Sequence, residues 1–286
     1  MENVNYTSTS TDIGHKYYKY SKKITPIGLI IFISMGILGT VILSLIYSYV
    51  VYYTEYLYVH ILLTVVLGTG IGALVCIGGK VGKIRSTFII GFAAVLFGLF
   101  AEYCQLVFWI FIESKGQFLI LNPVKIFYIM NYIGSTYSYN MIIFSLYLID
   151  GVLIVATSVI ISIRFIKDKA FCERCDRWMK NETLAGLNFV DDIEELKIKL
   201  EQGDFSALTL LGKAGKFDFQ LTRVVLKHCT QCKEFYLISV STIKITRSLR
   251  GKLKAEEKMV VKDLIIDQHV YNYLMEWNRS LKHSFF

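Results

Sequence analysis

The chain has 286 residues, of which 54% are hydrophobic, with a mean hydropathy of +0.47 and a formal charge of +8. This is too apolar for a soluble protein of this size, and the length allows a membrane region plus one soluble domain. From Arg164 onward lie 22 of the 31 Lys and Arg and 17 of the 23 Asp and Glu. That local excess of five is weak support for a nucleic-acid partner and ordinary for a domain beside an anionic membrane surface.

Residues 1–24 are polar and Tyr-rich, with Lys16, Lys19, Lys22 and Lys23, and read as a short cytoplasmic N-terminal tail, poorly ordered at its start. They are not expected to be a cleavable signal. The apolar run that follows is too long for an h-region and no small-residue site ends it. Only Pro26 and Pro123 occur, so no Pro-rich linker interrupts the chain.

Residues 25–166 read as a domain of four transmembrane helices. The first span, about 27–53, exceeds the ~20 residues needed to cross a bilayer. Tyr47, Tyr49, Tyr52, Tyr53, Tyr56 and Tyr58 at its far end suit an aromatic belt. The second span, about 57–79, carries Gly68 and Gly72, a small-xxx-small pattern for close helix packing and a face on which a second copy could dock. A dinucleotide loop is rejected there because no strand precedes the glycines. His60, near the outer end of this span, reads as interfacial. The third span is about 87–112 and the fourth about 141–166. Between them, a segment broken by Pro123 and Lys125 reads as an amphipathic helix lying in the interface and starting near Pro123. A fifth span is the alternative there, and it would place the Lys-rich tail outside.

Lys16, Lys19, Lys22 and Lys23, then Lys80, Lys83 and Arg85, then Arg164, Lys167 and Lys169 fall on one side of this topology. Glu55, Glu113, Lys115 and Lys125 fall on the other. The positive-inside rule makes the first side cytoplasmic, with both termini there in a multi-pass protein of the inner (plasma) membrane. The sequons at Asn5, Asn181 and Asn278 lie on that side and are expected to carry no glycan.

Residues 167–286 read as a cytoplasmic α+β domain, zinc-ribbon-like. Spacing predicts helices over 189–202 and 205–211, the second capped by Asp204, and strand character in 221–226, 234–240, 242–246 and 259–266. A basic turn, 247–254, precedes the last strand. A terminal helix over 267–281 is expected, with Val270, Tyr273, Leu274 and Trp277 on one face.

Six cysteines are present. Cys76 and Cys104 sit singly in apolar runs as packing residues. Cys172-x-x-Cys175 and Cys229-x-x-Cys232 have the spacing of two metal knuckles, separated by 53 residues. Four thiolates complete a tetrahedron and leave no position for water, so the expected cofactor is structural Zn. A redox pair, an iron–sulfur centre and unbound thiols are the alternatives. A thioredoxin-like pair requires a strand before Cys172 and a helix after it. His228, adjoining Cys229, is read as a strand residue, with substitution as a ligand the alternative.

Glu102 and Asp150 are ionisable residues inside apolar spans, and such residues are costly there. Both sit ~13–15 Å in from the outer helix ends at ~1.5 Å rise per residue, so the expectation is that they face each other and share a proton. Neutral acids bonded to Tyr, Ser or Gln105 are one reading, and an intramembrane proton or cation site is the other. No nucleophile–base set is present, so no catalytic activity is expected.

The segment 56–64 with its glycine run, Asn122-Pro123 and Cys172-Glu-Arg-Cys175 resembles uncharacterised bacterial inner-membrane proteins with four spans and a C-terminal Cys-x-x-Cys domain. The resemblance implies topology and no activity. The expected function is a membrane anchor for a zinc-containing cytoplasmic domain used in protein interaction or assembly, with a cytoplasmic or membrane protein as partner. The alternative is a small proton- or cation-coupled transporter or channel subunit using Glu102 and Asp150.

Overall fold

A computed structural model describes residues 16–283, apart from residues 20, 22, 55, 137–139, 167–168, 216–218, 233 and 248–252. Asn5, Lys22, Glu55, Lys167 and most of the basic turn lie outside the described residues. The chain divides into two compact units, Ser21–Lys169 and Ala170–Phe286, the latter joined by the N-terminal segment.

The first unit is all helical: α1 Pro26–Tyr52, α2 Leu57–Val81, α3 Thr87–Glu113, α4 Pro123–Thr136 and α5 Asn140–Ile166. Stretches of α1, α2, α3 and α5 are long and apolar enough to cross a membrane. Their polarity is arranged inside out. On α1 the buried positions Gly28, Phe32, Gly36, Thr40, Ser44 and Ser48 recur every fourth residue, while Ile27, Ile30, Leu38 and Ile42 are exposed. Small and hydroxyl side chains facing inward suit helices in lipid, which gain nothing by hiding Leu from hydrocarbon. They associate through close packing and interhelical hydrogen bonds of about 0.6 kcal/mol each. Ser44 and Ser48 of α1 donate to the carbonyls of Ala101 and Gln105 on α3, and Ser158 and Ser162 of α5 to those of Ala94 and Gly72.

Gly68 and Gly72 are both buried against α5. A Cβ at Gly72 would stand 2.6 Å from the Ser158 carbonyl oxygen, and one at Gly68 2.8 Å from that of Ile154. The face that the sequence offered to a second copy is filled from within the chain. Cys76 and Cys104 are buried free thiols, as packing residues should be. Helix α4 begins at Pro123, with Ile126 buried beside Val107 and Ile110 of α3 and Phe127, Tyr128 and Tyr132 exposed.

The second unit holds a hairpin, β1 Phe171–Cys172 with β2 Arg177–Trp178, and an antiparallel meander. The meander is β3 Lys180–Thr183, β4 Gln220–His228, β5 Tyr236–Arg247 and β6 Leu253–Ile266, in that spatial order. Between β3 and β4 lie α6 Ile193–Glu201 and the short α7 Ser206–Thr209; α8 Gln268–His283 ends the chain. Helix α6 is shorter than its apolar spacing predicts. Asp192 forms its N-cap, accepting from the Glu195 amide at 2.9 Å, so residues 189–191 stay outside. The strands expected over 234–240 and 242–246 form a single β5 that runs on past Ser241.

Alternate residues of the sheet, Val224, Leu226, Ile238, Val240 and Val261, meet Leu196, Leu200, Leu208 and Leu274 in one core. On α8, Val270, Tyr271, Leu274, Trp277 and Leu281 pack inward. Tyr273, expected on that face, is 44% exposed. Asn278 is buried and its Oδ1 accepts from the Ala185 amide at 2.9 Å, which leaves no room for a glycan.

The sheet has an edge that the sequence does not announce. Residues 16–18 pair with β6: Tyr17 bridges Leu264, the Tyr18 amide donates to the Asp263 carbonyl at 2.8 Å and the Ile265 amide to that of Lys16 at 2.9 Å. The short N-terminal strap thereby covers backbone groups that an open edge would offer to other chains. Its side chains are tied as well. Tyr17 donates to Glu201 Oε1 at 2.5 Å, and the Tyr18 hydroxyl donates to the Phe171 carbonyl at 2.8 Å.

Candidate functional site

Two clusters carry chemistry, one in each unit. In the sheet unit, Cys172 ends β1, Cys175 lies in the turn to β2, Cys229 follows β4 directly and Cys232 lies in the turn before β5. Pairing of Lys180 with His228 and of His228 with Tyr236 brings the two turns to the same end of the sheet. All four sulfurs fall within 4.8 Å of one another, and no other group of three or more His, Cys, Asp or Glu gathers in this way among the described residues. Cys172 Sγ lies 3.8 Å from Cys232 Sγ. A sulfur–sulfur edge of about 3.8 Å is what a tetrahedron with metal–sulfur bonds of about 2.3 Å requires. It is far from the ~2.05 Å of a disulfide.

The donor set fits a thiophilic cation. Burial pushes the Cys172 thiol up to about 12, against the Cys175 amide, which favours its thiolate. Burial also opposes ionisation of Cys229, but the amides of Cys232 and Gln231 outweigh it and hold that thiol down to about 7. One sulfur is thus readily ionised while its neighbour resists a second negative charge. A bound cation removes that conflict, because it stabilises every coordinating thiolate at once. Tyr18 of the strap and Phe235 pack against the small core formed by Ala170, Cys172, Met179, Cys229 and Leu237.

The knuckle does not have the thioredoxin arrangement: β1 is two residues long and the chain turns back into β2, with no helix after Cys172. His228 is partnered outside the sulfur set, its Nδ1 lying 3.0 Å from the Tyr271 hydroxyl. Burial lowers its pKa and so favours the neutral ring.

The helical unit holds the second cluster. Asp150 is 5% exposed and accepts from Thr64 Oγ1 at 3.2 Å. His60 Nδ1 lies 3.6 Å from Asp150 Oδ2, and His60 Nε2 lies 3.1 Å from the Tyr47 hydroxyl, which also meets Thr64 Oγ1 at 2.9 Å. Glu102 accepts from Gln105 Nε2 at 2.6 Å. The two carboxylates come into one region, since Gly151, next to Asp150, abuts the Glu102 carboxyl group. Each has a partner of its own, and no hydrogen bond joins them among the described residues.

His60, with a side chain 28% exposed, turns toward Asp150 and Tyr47, and Tyr47, 7% exposed, is not part of an exposed belt. The signal available in the sequence was spacing. Thr64 follows His60 by one helical turn, and Tyr47 adjoins the buried stripe that contains Ser44 and Ser48.

No protein-family model matches the chain, and no curated protein or solved structure matches it either. Four apolar helices and the four-cysteine cluster are what the structure itself shows.

Proposed function

We propose that this is an integral membrane protein whose helical bundle anchors a zinc-stabilised, zinc-ribbon-like domain used for protein interaction or assembly at the cytoplasmic face of a plasma membrane. The observation that carries this reading is the convergence of four cysteines from two turns into a closed set, six residues after the last apolar helix ends in sequence. Cys172, Cys175, Cys229 and Cys232 would hold the ion. A four-sulfur zinc supplies folding energy and no open coordination position, so its role is architectural. The ion would clamp the end of the sheet that Tyr18 also braces, leaving the exposed surfaces of the domain to recognise a partner.

The test uses the intact chain, because residues 16–18 belong to the same unit as the cysteines. Purified protein is expected to contain one zinc per chain by mass spectrometry, and Cys229→Ser to lose it. Cross-linking in membranes is expected to recover partners from wild type that the variant loses while its bundle remains inserted. Absence of metal, or an unchanged set of partners, would reject the reading.

A second reading, a proton- or cation-coupled carrier or channel subunit, is favoured by one observation. Asp150, His60, Thr64 and Tyr47 form a connected polar network inside apolar helices, with Glu102 nearby. Liposome flux that is unchanged by Glu102→Gln and Asp150→Asn would eliminate it.

A further inference from the structure

We propose that the cavity lined by residues of α1 to α5 binds a small organic cation, a protonated amine carried on an apolar body. The proposal deepens the carrier reading by naming a ligand class, and it also stands as a binding site without flux.

The cavity measures about 270 Å³. Val51, Leu106, Trp109 and Met130 give it apolar and aromatic walls, and its polar lining comes from Asp150, Gln105, His60, Ser48 and the two tyrosines Tyr47 and Tyr147. The deciding feature is Gln105. Its side-chain nitrogen is committed to Glu102, while its Oε1 is buried without a hydrogen-bond partner among the described residues. The residue is 5% exposed, and an unsatisfied buried acceptor costs about 1–3 kcal/mol. A ligand that brings N–H donors relieves that cost.

The Asp150 carboxylate selects the ligand's charge. It lines the same cavity, no Lys or Arg lines it among the described residues, and Gln105 of that lining is hydrogen-bonded to Glu102, which lines the adjoining cavity. An anion meets the Asp150 carboxylate, and a neutral alcohol brings one donor and no charge. A bare metal ion meets walls that are mostly carbon and indole, not an oxygen cage. An ammonium group offers donors to both Asp150 and Gln105, and the faces of Trp109, Tyr47 and Tyr147 suit a cation by their negative quadrupole. A second cavity of about 340 Å³ shares Leu106, Met130 and Tyr147 as walls; Leu99, Ile126 and Phe127 make most of the rest apolar, beside Glu102 and Asn131. It gives the apolar body somewhere to go.

The experiment measures binding of tritiated 2-phenylethylamine to the intact protein in lipid nanodiscs, with 2-phenylethanol and phenylacetate as competitors. Saturable binding is expected, displaced by unlabelled amine and weakened about tenfold or more by Asp150→Asn, as loss of a charged hydrogen bond implies. The alcohol and the acid should compete at least about tenfold less well. Met130→Trp, which fills the cavity from α4, should abolish binding while zinc content and helicity stay unchanged, so a folding defect in the Asp150 variant cannot decide the matter. Absence of saturable binding, equal competition by the alcohol, or an unchanged affinity in both variants would overturn the proposal. Amine binding without flux would keep this site and remove the carrier. Flux that depends on Asp150 without amine binding would do the reverse.

Discussion

Lys227 Nζ lies 2.5 Å from Asp263 Oδ1, with side-chain exposures of 3% and 2%. Asp263 also accepts from Ser239 Oγ at 3.0 Å, and it has the left-handed φ of +55° beside a register shift between β5 and β6. The irregularity aims a carboxylate into the sheet unit beside the one buried ammonium group among the described residues.

Removing one partner should be far worse than removing both. Asp263→Asn tolerates the left-handed backbone but strands a buried ammonium, with an expected cost of about 3–5 kcal/mol. The pair Lys227→Met with Asp263→Asn should recover part of that loss. Chemical denaturation of the three variants checks the order. Equal destabilisation by the single and the double change would show that the ion pair does not set the cost.

Metal removal should unfold the sheet unit and spare the bundle. A zinc chelator or Cys172→Ser is expected to convert that unit into a protease-sensitive form, since structural zinc contributes on the order of 10 kcal/mol. Limited proteolysis read by mass spectrometry should place the new cuts after residue 170 and leave the apolar helices protected. Protection of both units after chelation would count against a structural ion.

The strap should respond to alkaline pH through Tyr17. Burial, and then the bond to Glu201, push its hydroxyl up to about 12 from the ordinary 10. The folded state therefore holds this proton more tightly than the unfolded chain does. Its contribution is fully present below pH 10 and is lost as pH rises from about 10 to about 12. Wild type should melt above Tyr17→Phe at pH 9, and the gap should have narrowed to less than half by pH 11.5. A gap that widened over that interval would contradict the assignment.

Close helix packing predicts sharp size limits at Gly72. A Cβ there meets the Ser158 backbone oxygen at 2.6 Å and cannot be absorbed by a flexible side chain. Gly72→Val should cost at least about 1–3 kcal/mol by overpacking, whereas Gly91→Ala, whose nearest neighbour is Ile163 at 3.7 Å, should be nearly neutral. Thermal unfolding in detergent distinguishes the two.

Most of the helical architecture was legible in the sequence, because a bilayer demands about twenty apolar residues per crossing and so writes its own thickness into the chain. Pro123 marked the start of α4 for a local reason, its fixed backbone angle. The two Cys-x-x-Cys pairs were legible because knuckle geometry is set within four residues. Tertiary structure decided what depends on facing. It turned His60 and Tyr47 inward beside Asp150, and gave Glu102 and Asp150 separate partners. It also filled the Gly68–Gly72 face with α5 and joined residues 16–18 to an edge more than 240 positions away in the chain. Helices that are apolar all round carry almost no periodic signal for which side is inside. A three-residue edge strand has too few side chains to advertise its partner. In both cases the information lies in contacts between distant residues, which local composition does not encode.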